Sequence, residues 1–354
     1  MIEPGATIGI VGGGQLGRML SVAAAQLGYK SHIFDPHEQP CAADVAAHFT
    51  RAAYDDVEAL RRFGAAVDVA TYEFENLPVE PLRILGQKLQ PGTRSLAVAQ
   101  DRAVEKQFIE ECGARVAAWR SVDSQSDIER AVAELGLPIV LKTRRYGYDG
   151  KGQSWIRSAG DVATAWDSIG RESSIAEAAI DFSAEFSVIV ARWEDSRHSF
   201  WDSPRNEHGD GILRRSTVPC NGAIAAQFAE AREAALSIAE ALDHVGVLTV
   251  EFFSSADGPL VNEIAPRVHN SGHWTIEGAV TSQFEQHIRA ICGLPPGSTE
   301  LTGSEAIMEN LIGDDVERWP QLVADPGAHV HIYGKGEARP GRKMGHVTRV
   351  RPRA

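Results

Sequence analysis

A short apolar run, Thr7–Val11, passes through Gly12-x-Gly14-x-x-Gly17 into an alanine-rich stretch, Arg18–Leu27, that stops at Gly28. Strand, glycine turn and helix in that order leave few options. The helix must fold back on one face of a sheet, and the next strand, Lys30–Asp35, must lie parallel to the first. Val67–Tyr72 supplies a further strand, followed by the loop Glu73-Phe74-Glu75-Asn76. The backbone N–H groups of such a glycine turn, with the helix dipole behind them, form an anion site. Asp35 ends the second strand about where a dinucleotide fold places its ribose-binding acid. A nicotinamide-dependent dehydrogenase is therefore the rival reading. The motif alone is weak evidence for a cofactor, and the preferred ligand is another phosphate-bearing molecule.

At 354 residues the chain has room for two or three domains of roughly 100–200 residues. A second unit begins near Gln100 with a helical stretch, Arg102–Cys112. A buried-looking strand, Pro138–Lys142, leads into Arg144-Arg145-Tyr146-Gly147-Tyr148-Asp149-Gly150-Lys151-Gly152-Gln153. Three glycines among polar residues suit a flexible loop. A lysine on the strand below a glycine-rich flap suits a nucleoside triphosphate, with point charge on one side and backbone amides on the other. No Gly-Lys-Ser/Thr opens a helix here, so this is not a P-loop. Ser187–Arg192 reads as a strand and Ala223–Leu242 as a long helix. The pattern breaks around Leu294-Pro295-Pro296-Gly297, and the tail from Ser304 reads as a small β-rich unit. The boundaries expected are 1–99, 100–295 with a flap subdomain at about 125–190, and 296–354.

Val245–Phe253 and Leu260–Ile264 read as a hairpin. With its turn centred on Asp257, Glu251 lies opposite Glu263. Directly opposed residues have Cβ atoms about 4.5–5.5 Å apart, and like charges there are destabilising. A divalent cation between them reverses the sign, and magnesium commonly bridges one or two carboxylates to substrate phosphates. The plainer alternative turns one carboxylate to solvent. Asn262 adds an oxygen donor. The polar run Pro266-Arg267-Val268-His269-Asn270-Ser271-Gly272-His273-Trp274 follows, with Arg267, His269 and Asn270 as donors for a small anion. Arg339, Arg342 and Lys343 flank Pro340-Gly341. In a chain of net charge −13, that cationic knot suggests a bound phosphate or carboxylate. The acidity itself disfavours tracking a nucleic-acid backbone. Four scattered cysteines form no CxxC pair, which suggests reduced thiols. No apolar run approaches the roughly 18 residues of a membrane span, and Met1-Ile2-Glu3-Pro4 has no signal-peptide pattern. A cytoplasmic location is the expectation.

GGGQLGRML at 12–20, YEFEN at 72–76, GYDGKGQ at 147–153, NEIAPRVHNSGHWT at 262–275 and RPGRKMGH at 339–346 resemble the 5-(carboxyamino)imidazole ribonucleotide synthases of purine biosynthesis, an ATP-grasp family. The likeness runs from about residue 7 to residue 348. It implies mixed α/β and α+β architecture: an ATP-grasp fold with an N-terminal parallel-sheet domain and a small β-rich C-terminal domain. It implies conversion of ATP, bicarbonate and 5-aminoimidazole ribonucleotide to the carbamate, ADP and phosphate, in a homodimer, with Mg2+ (or Mn2+ in its place). By position, Arg102, Lys142, Glu177, Ala178, Ala179, Ile180, Glu185, His208, Asn262 and Glu263 should contact ATP. Gly147, Tyr148, Asp149, Gly150, Lys151, Gly152 and Gln153 should cover its phosphates. Glu251 and Glu263 should hold the metal. Gly14, Gln15, Leu16, Glu75, Tyr148, Lys151, Asn270, Ser271, Arg339, Arg342 and Lys343 should hold the imidazole nucleotide. Arg267, His269, Lys343 and, as proton acceptor, Asp149 should act in catalysis. Ala178-Ala179 depart from the polar or glycine residues common in the family. Another ATP-grasp ligase and a non-catalytic nucleotide sensor are the remaining alternatives.

Overall fold

The structure is a computed structural model that describes residues 1–147 and 152–353. Its strands fall into three sheets. The N-terminal sheet is wholly parallel, in the order β3 (His48–Arg51), β2 (Lys30–Asp35), β1 (Thr7–Val11), β4 (Val69–Tyr72). The helix after β1 covers Gln15–Gln26, starting three residues earlier than the sequence suggests. Gly14 is extended and acts as its N-cap, so the glycine turn is only Gly12–Gly14. Gly28 follows with φ +82°, the left-handed conformation that ends many helices.

A small antiparallel sheet runs β5 (Trp119–Val122), β8 (Ser174–Ala178), β6 (Ile139–Thr143), β7 (Gln153–Ile156). One face is packed under the helices Gln125–Leu135 and Val162–Ser168 through Ile128, Leu141, Ile156 and Trp166. The largest sheet is antiparallel: β14 (Gly258–Ala265), β13 (Gly246–Ser255), β9 (Ala184–Arg192), β11 (Arg205–Gly209), β12 (Ile212–Val218), β15 (Glu305–Ile312), β17 (Lys343–Arg351), β16 (Ala328–Ile332), with β10 (His198–Phe200) on β9. The C-terminal strands therefore extend the central sheet by pairing β15 to β12 from Arg215↔Glu309 to Val218↔Ala306. They do not form a sheet of their own.

Alternation along β9 and β13 explains why these strands read as nearly continuous apolar runs. Phe186, Val188 and Val190, with Leu248, Val250 and Phe252, pack beneath the helix Ala223–Ala241. Ile189, Ala191 and Val247 point the other way. There they share a core with Leu20 of the N-terminal unit and Phe284 and Ile288 of the helix Gln283–Ile291. Thr71 Oγ1 and His287 Nε2 meet at 2.8 Å across that junction. Glu251 sits on the same face of β13 as Val247, past the end of that core.

The hairpin differs in detail from its expected form. Pairing runs to Ser255↔Gly258, so the loop is the two residues Ala256-Asp257, and that register alone would set Asn262 against Glu251. A bulge intervenes: Val261 pairs with Phe252, Asn262 is extra, and Glu263 faces Glu251. The expected opposition holds for a reason the sequence did not show. A bulge also raises local twist and re-aims side chains. Among the described residues no helix is long and apolar enough to cross a membrane.

Phe252 is buried and stacks on Phe186 with centroids 5.2 Å apart. Phe252→Ala should cost about 3–5 kcal/mol, seen as a lower urea midpoint with an unchanged denaturant slope.

Candidate functional site

Glu251 and Glu263 open into one cavity of about 240 Å³. Each carboxylate has a nitrogen donor beside it. Arg102 Nη1 donates to Glu263 Oε2 at 3.1 Å. Arg102 is the first residue of the helix Arg102–Glu111. That helix is capped by Asp101, whose two oxygens also accept Nε and Nη2 of Arg144 at 2.8 Å each. His269 Nε2 lies 3.0 Å from Glu251 Oε1. Its Nδ1 accepts the Ser271 N–H at 3.3 Å, so the neutral ring carries its proton on Nε2, aimed at Glu251. Burial alone would raise the Glu251 pKa, but His269, with His208 and Lys343 behind it, holds it at about 2.

Lys142 also reaches this cavity, from β6. It is held by Glu177, which is 3% exposed and faces two ammonium groups, Lys142 and Lys106, the latter at 2.6 Å. Burial would raise Glu177, but the two lysines hold it down at about 2. Lys106 also donates to the Asn262 carbonyl at 2.9 Å. A buried ion triad thus ties the small sheet to the bulge of β14. Glu185 and His208, on adjacent strands, form an ion pair on the cavity wall. Burial opposes the charged form of His208, but Glu185 overrides this and raises its pKa. Gly152, Gln153, Asn262, Asn270 and Lys343 complete the expected residues in this lining.

A second cavity, of about 140 Å³, is lined by Glu75, Arg144, Gly147 and Arg267, and it shares Arg102, Glu263, His269 and Lys343 with the first. Arg267 Nε donates to Glu75 Oε2 at 2.5 Å. Glu105 lies here too. Burial pushes its carboxyl up to about 8 against the pull of Arg102. The two cavities meet at Glu263, with Arg102, His269 and Lys343 common to both.

Other expected residues sit elsewhere. The glycine turn is not an open anion cradle. Gly13 N donates to Asp35 Oδ2 at 2.7 Å, and Gly14 and Gly17 donate to the two oxygens of Glu73 at 2.7 and 3.0 Å. Asp35 also accepts the Tyr54 hydroxyl at 2.7 Å. The groups that would bind a dinucleotide are therefore already used inside the chain. Glu177, Ala178, Ala179 and Ile180 lie off the cavity wall: Glu177 is buried in its triad, and the Ala178 and Ala179 N–H groups donate to the carbonyls of Ala118 and Pro138. Ser271 is fully buried and supports His269 instead of facing a ligand. Asn270 is locked to Asn310 by two amide hydrogen bonds of 2.9 and 2.7 Å. Of the cationic knot, Arg339 is exposed beside Glu337 and Arg342 donates to the Glu337 carbonyl, while Lys343 reaches both cavities. Tyr148, Asp149, Gly150 and Lys151 lie outside the described residues, and with them the expected proton acceptor.

Sequence reasoning passed over Lys106, Glu105, Arg144, Glu73 and Lys335. Lys335 is a half-buried ammonium, its pKa lowered by burial, in the electrostatic neighbourhood of Cys41, Arg342, Glu73 and Lys343. Its signal was local: a lysine between Gly334 and Gly336, four residues ahead of the arginine cluster.

The two carboxylates suit magnesium. Arg102 engages Oε2 of Glu263, and His269 lies against Oε1 of Glu251. Among the described residues no set of three or more His, Cys, Asp or Glu side chains offers an all-protein cage. Such a cation completes its shell with substrate phosphates and water.

Comparison with known proteins agrees with this geometry. Residues 5–100 match the ribonucleotide synthetase preATP-grasp domain, 107–284 the ATP-grasp domain, and 306–354 the phosphoribosylaminoimidazole carboxylase C-terminal domain. An N5-carboxyaminoimidazole ribonucleotide synthase of Brucella melitensis is 49% identical over 99% of this chain and 98% of its own length. The chain belongs to the N5-carboxyaminoimidazole ribonucleotide synthase family. The ADP complex of the Staphylococcus aureus N5-carboxyaminoimidazole synthetase superposes with TM-score 0.94 at 40% identity, covering 99% of this chain and 94% of that one. The Aspergillus clavatus synthase with ADP and 5-aminoimidazole ribonucleotide gives 0.92 at 30% identity, with the same coverage of both chains. The dehydrogenase reading is thereby set aside.

Lys106→Met leaves Glu177 with one lysine. Removing one partner of a buried ion cluster costs about 3–5 kcal/mol, measurable by urea unfolding. The same variant should show a higher KM for ATP, because Lys142 and the Asn262 carbonyl lose their shared anchor.

Proposed function

We infer that this chain is an ATP-dependent carbon–nitrogen ligase that carboxylates the amino group of 5-aminoimidazole ribonucleotide with bicarbonate. The observation that carries the reading is the meeting of two cavities at Glu263, opposite Glu251. One is lined by Lys142, His208, Gly152 and Gln153, and it takes ATP. The other is lined by Arg267, Lys343 and Glu75, and it takes the acceptor.

Bicarbonate is a poor electrophile. Transfer of the ATP γ-phosphoryl group to one of its oxygens gives carboxyphosphate and ADP. Glu251 and Glu263 would hold magnesium, which when bound would supply positive charge against the phosphates. Lys142, fixed by Glu177, supplies a second positive charge to the phosphates. Arg267, pinned by Glu75, and His269, aligned by Ser271, hold bicarbonate beside the γ-phosphate. The exocyclic amine then attacks the activated carbon, phosphate leaves, and the amine gives up one proton. Asp149 on the flap is the group we assign to receive it. The Gly147–Gln153 segment closes over the phosphates and keeps water from the mixed anhydride. Lys335, Arg342 and Lys343, with the Gln15 and Leu16 N–H groups, bind the acceptor's phosphate.

The decisive experiment is ADP release as a function of bicarbonate, with and without 5-aminoimidazole ribonucleotide. Release should require both; release indifferent to bicarbonate overturns the reading. Glu263→Gln should lower magnesium-dependent turnover at least roughly 100-fold; near-parental activity removes Glu263 from the metal site. Lys343→Ala should raise the KM for acceptor or bicarbonate about tenfold or more while leaving that for ATP nearly unchanged. Unaltered bicarbonate and acceptor dependence would count against its placement.

A further inference from the structure

The glycine turn has the spacing of a diphosphate-binding loop, yet its donors are already occupied. Gly13, Gly14 and Gly17 donate to carboxylates of the chain itself, at 2.7, 2.7 and 3.0 Å. Glu73 takes two of these bonds with its two oxygens, as one phosphate group would. It is 7% exposed, inside the loop. The glycines are shaped to it: a Cβ on Gly14 would come within 2.6 Å of Glu73 Oε1, and one on Gly12 within 2.4 Å of Glu73 Cγ. Of the donors at this helix start, the Gln15 and Leu16 N–H groups have no acceptor among the described residues. Arg267 and Lys335 lie within electrostatic reach of Glu73.

We propose that Glu73 is a specificity-determining residue, an internal anion that narrows the glycine turn from a diphosphate seat to a monophosphate one. Two free donors and the nearby cations serve one terminal phosphate. A second phosphate would have to displace Glu73 from Gly14 and Gly17 and would meet its charge. Dinucleotides and diphosphate esters are refused on that account, while the monophosphate acceptor is admitted. Glu73 touches no reacting atom; it positions the loop. The inference rests on the acceptor assignment made above.

The test uses the full chain carrying Glu73→Ala or Glu73→Gln, with inorganic pyrophosphate as the probe at fixed free magnesium and saturating ATP. Glu73→Ala frees two N–H groups and removes one negative charge from the neighbourhood of Arg267 and Lys335. Pyrophosphate should then inhibit competitively against 5-aminoimidazole ribonucleotide, about tenfold or more tighter than in the parent. The acceptor KM should rise while the ATP KM holds. Glu73→Gln is isosteric and guards against misfolding: it keeps one acceptor and sets an NH2 against the other glycine N–H, so its acceptor KM should rise as well. Unchanged pyrophosphate inhibition and acceptor KM in a folded variant with parental ATP KM overturn the proposal and leave the proposed reaction standing. If the parent itself releases no bicarbonate-dependent ADP, the reaction assignment fails. Calorimetric titration of pyrophosphate into parent and variant then still decides Glu73, tighter binding to the variant supporting its role and equal binding ending it.

Discussion

Two carboxylates face each other across β13 and β14, and much of the site is arranged around that repulsion. Opposed glutamates on paired strands destabilise a hairpin. Here Arg102 and His269 each take one of them. Those partners have supports of their own: Asp101 caps the helix that carries Arg102, and Ser271 sets the tautomer of His269. Lys106 reaches the Asn262 carbonyl next to Glu263, and Arg267, four residues further on, is held by Glu75. The charged pair is a local cost that organises the surroundings, in the manner of a site whose stabilising partner is a ligand.

The N-terminal unit shows the opposite strategy. A loop with the form of an anion site is satisfied from within, by Glu73 and Asp35. Its form is that of a nucleotide-binding fold, but its donors are largely withdrawn. Function follows the occupied hydrogen bonds more closely than it follows the motif.

The elements were legible where periodicity or glycine punctuation was strong. Lys30–Asp35 has its observed bounds, and the helix Ala223–Ala241 is one residue shorter than expected. The opposition of Glu251 and Glu263 was also legible, although by way of a turn placed half a residue off and a bulge that compensates for it. Bulges leave little trace in one sequence, because the extra residue is polar like its neighbours. Residues in the second layer escaped notice for another reason. Lys106 and Glu105 sit on a helix rich in charge, and only tertiary packing buries them. Glu177 was expected at the ligand because the family's pattern marks the position; its side chain is instead consumed by two lysines.

The pairing of β15 with β12 has a mechanical consequence. Lys343 begins β17, and an unbroken hydrogen-bonded ladder joins β17 through β15, β12, β11 and β9 to Glu251 on β13. Lys343 and Glu251 therefore ride on one plate. Lys142 belongs to another, the four-stranded sheet. The Lys106–Glu177–Lys142 cluster joins the two plates, tying β6 and β8 to the Asn262 carbonyl on β14.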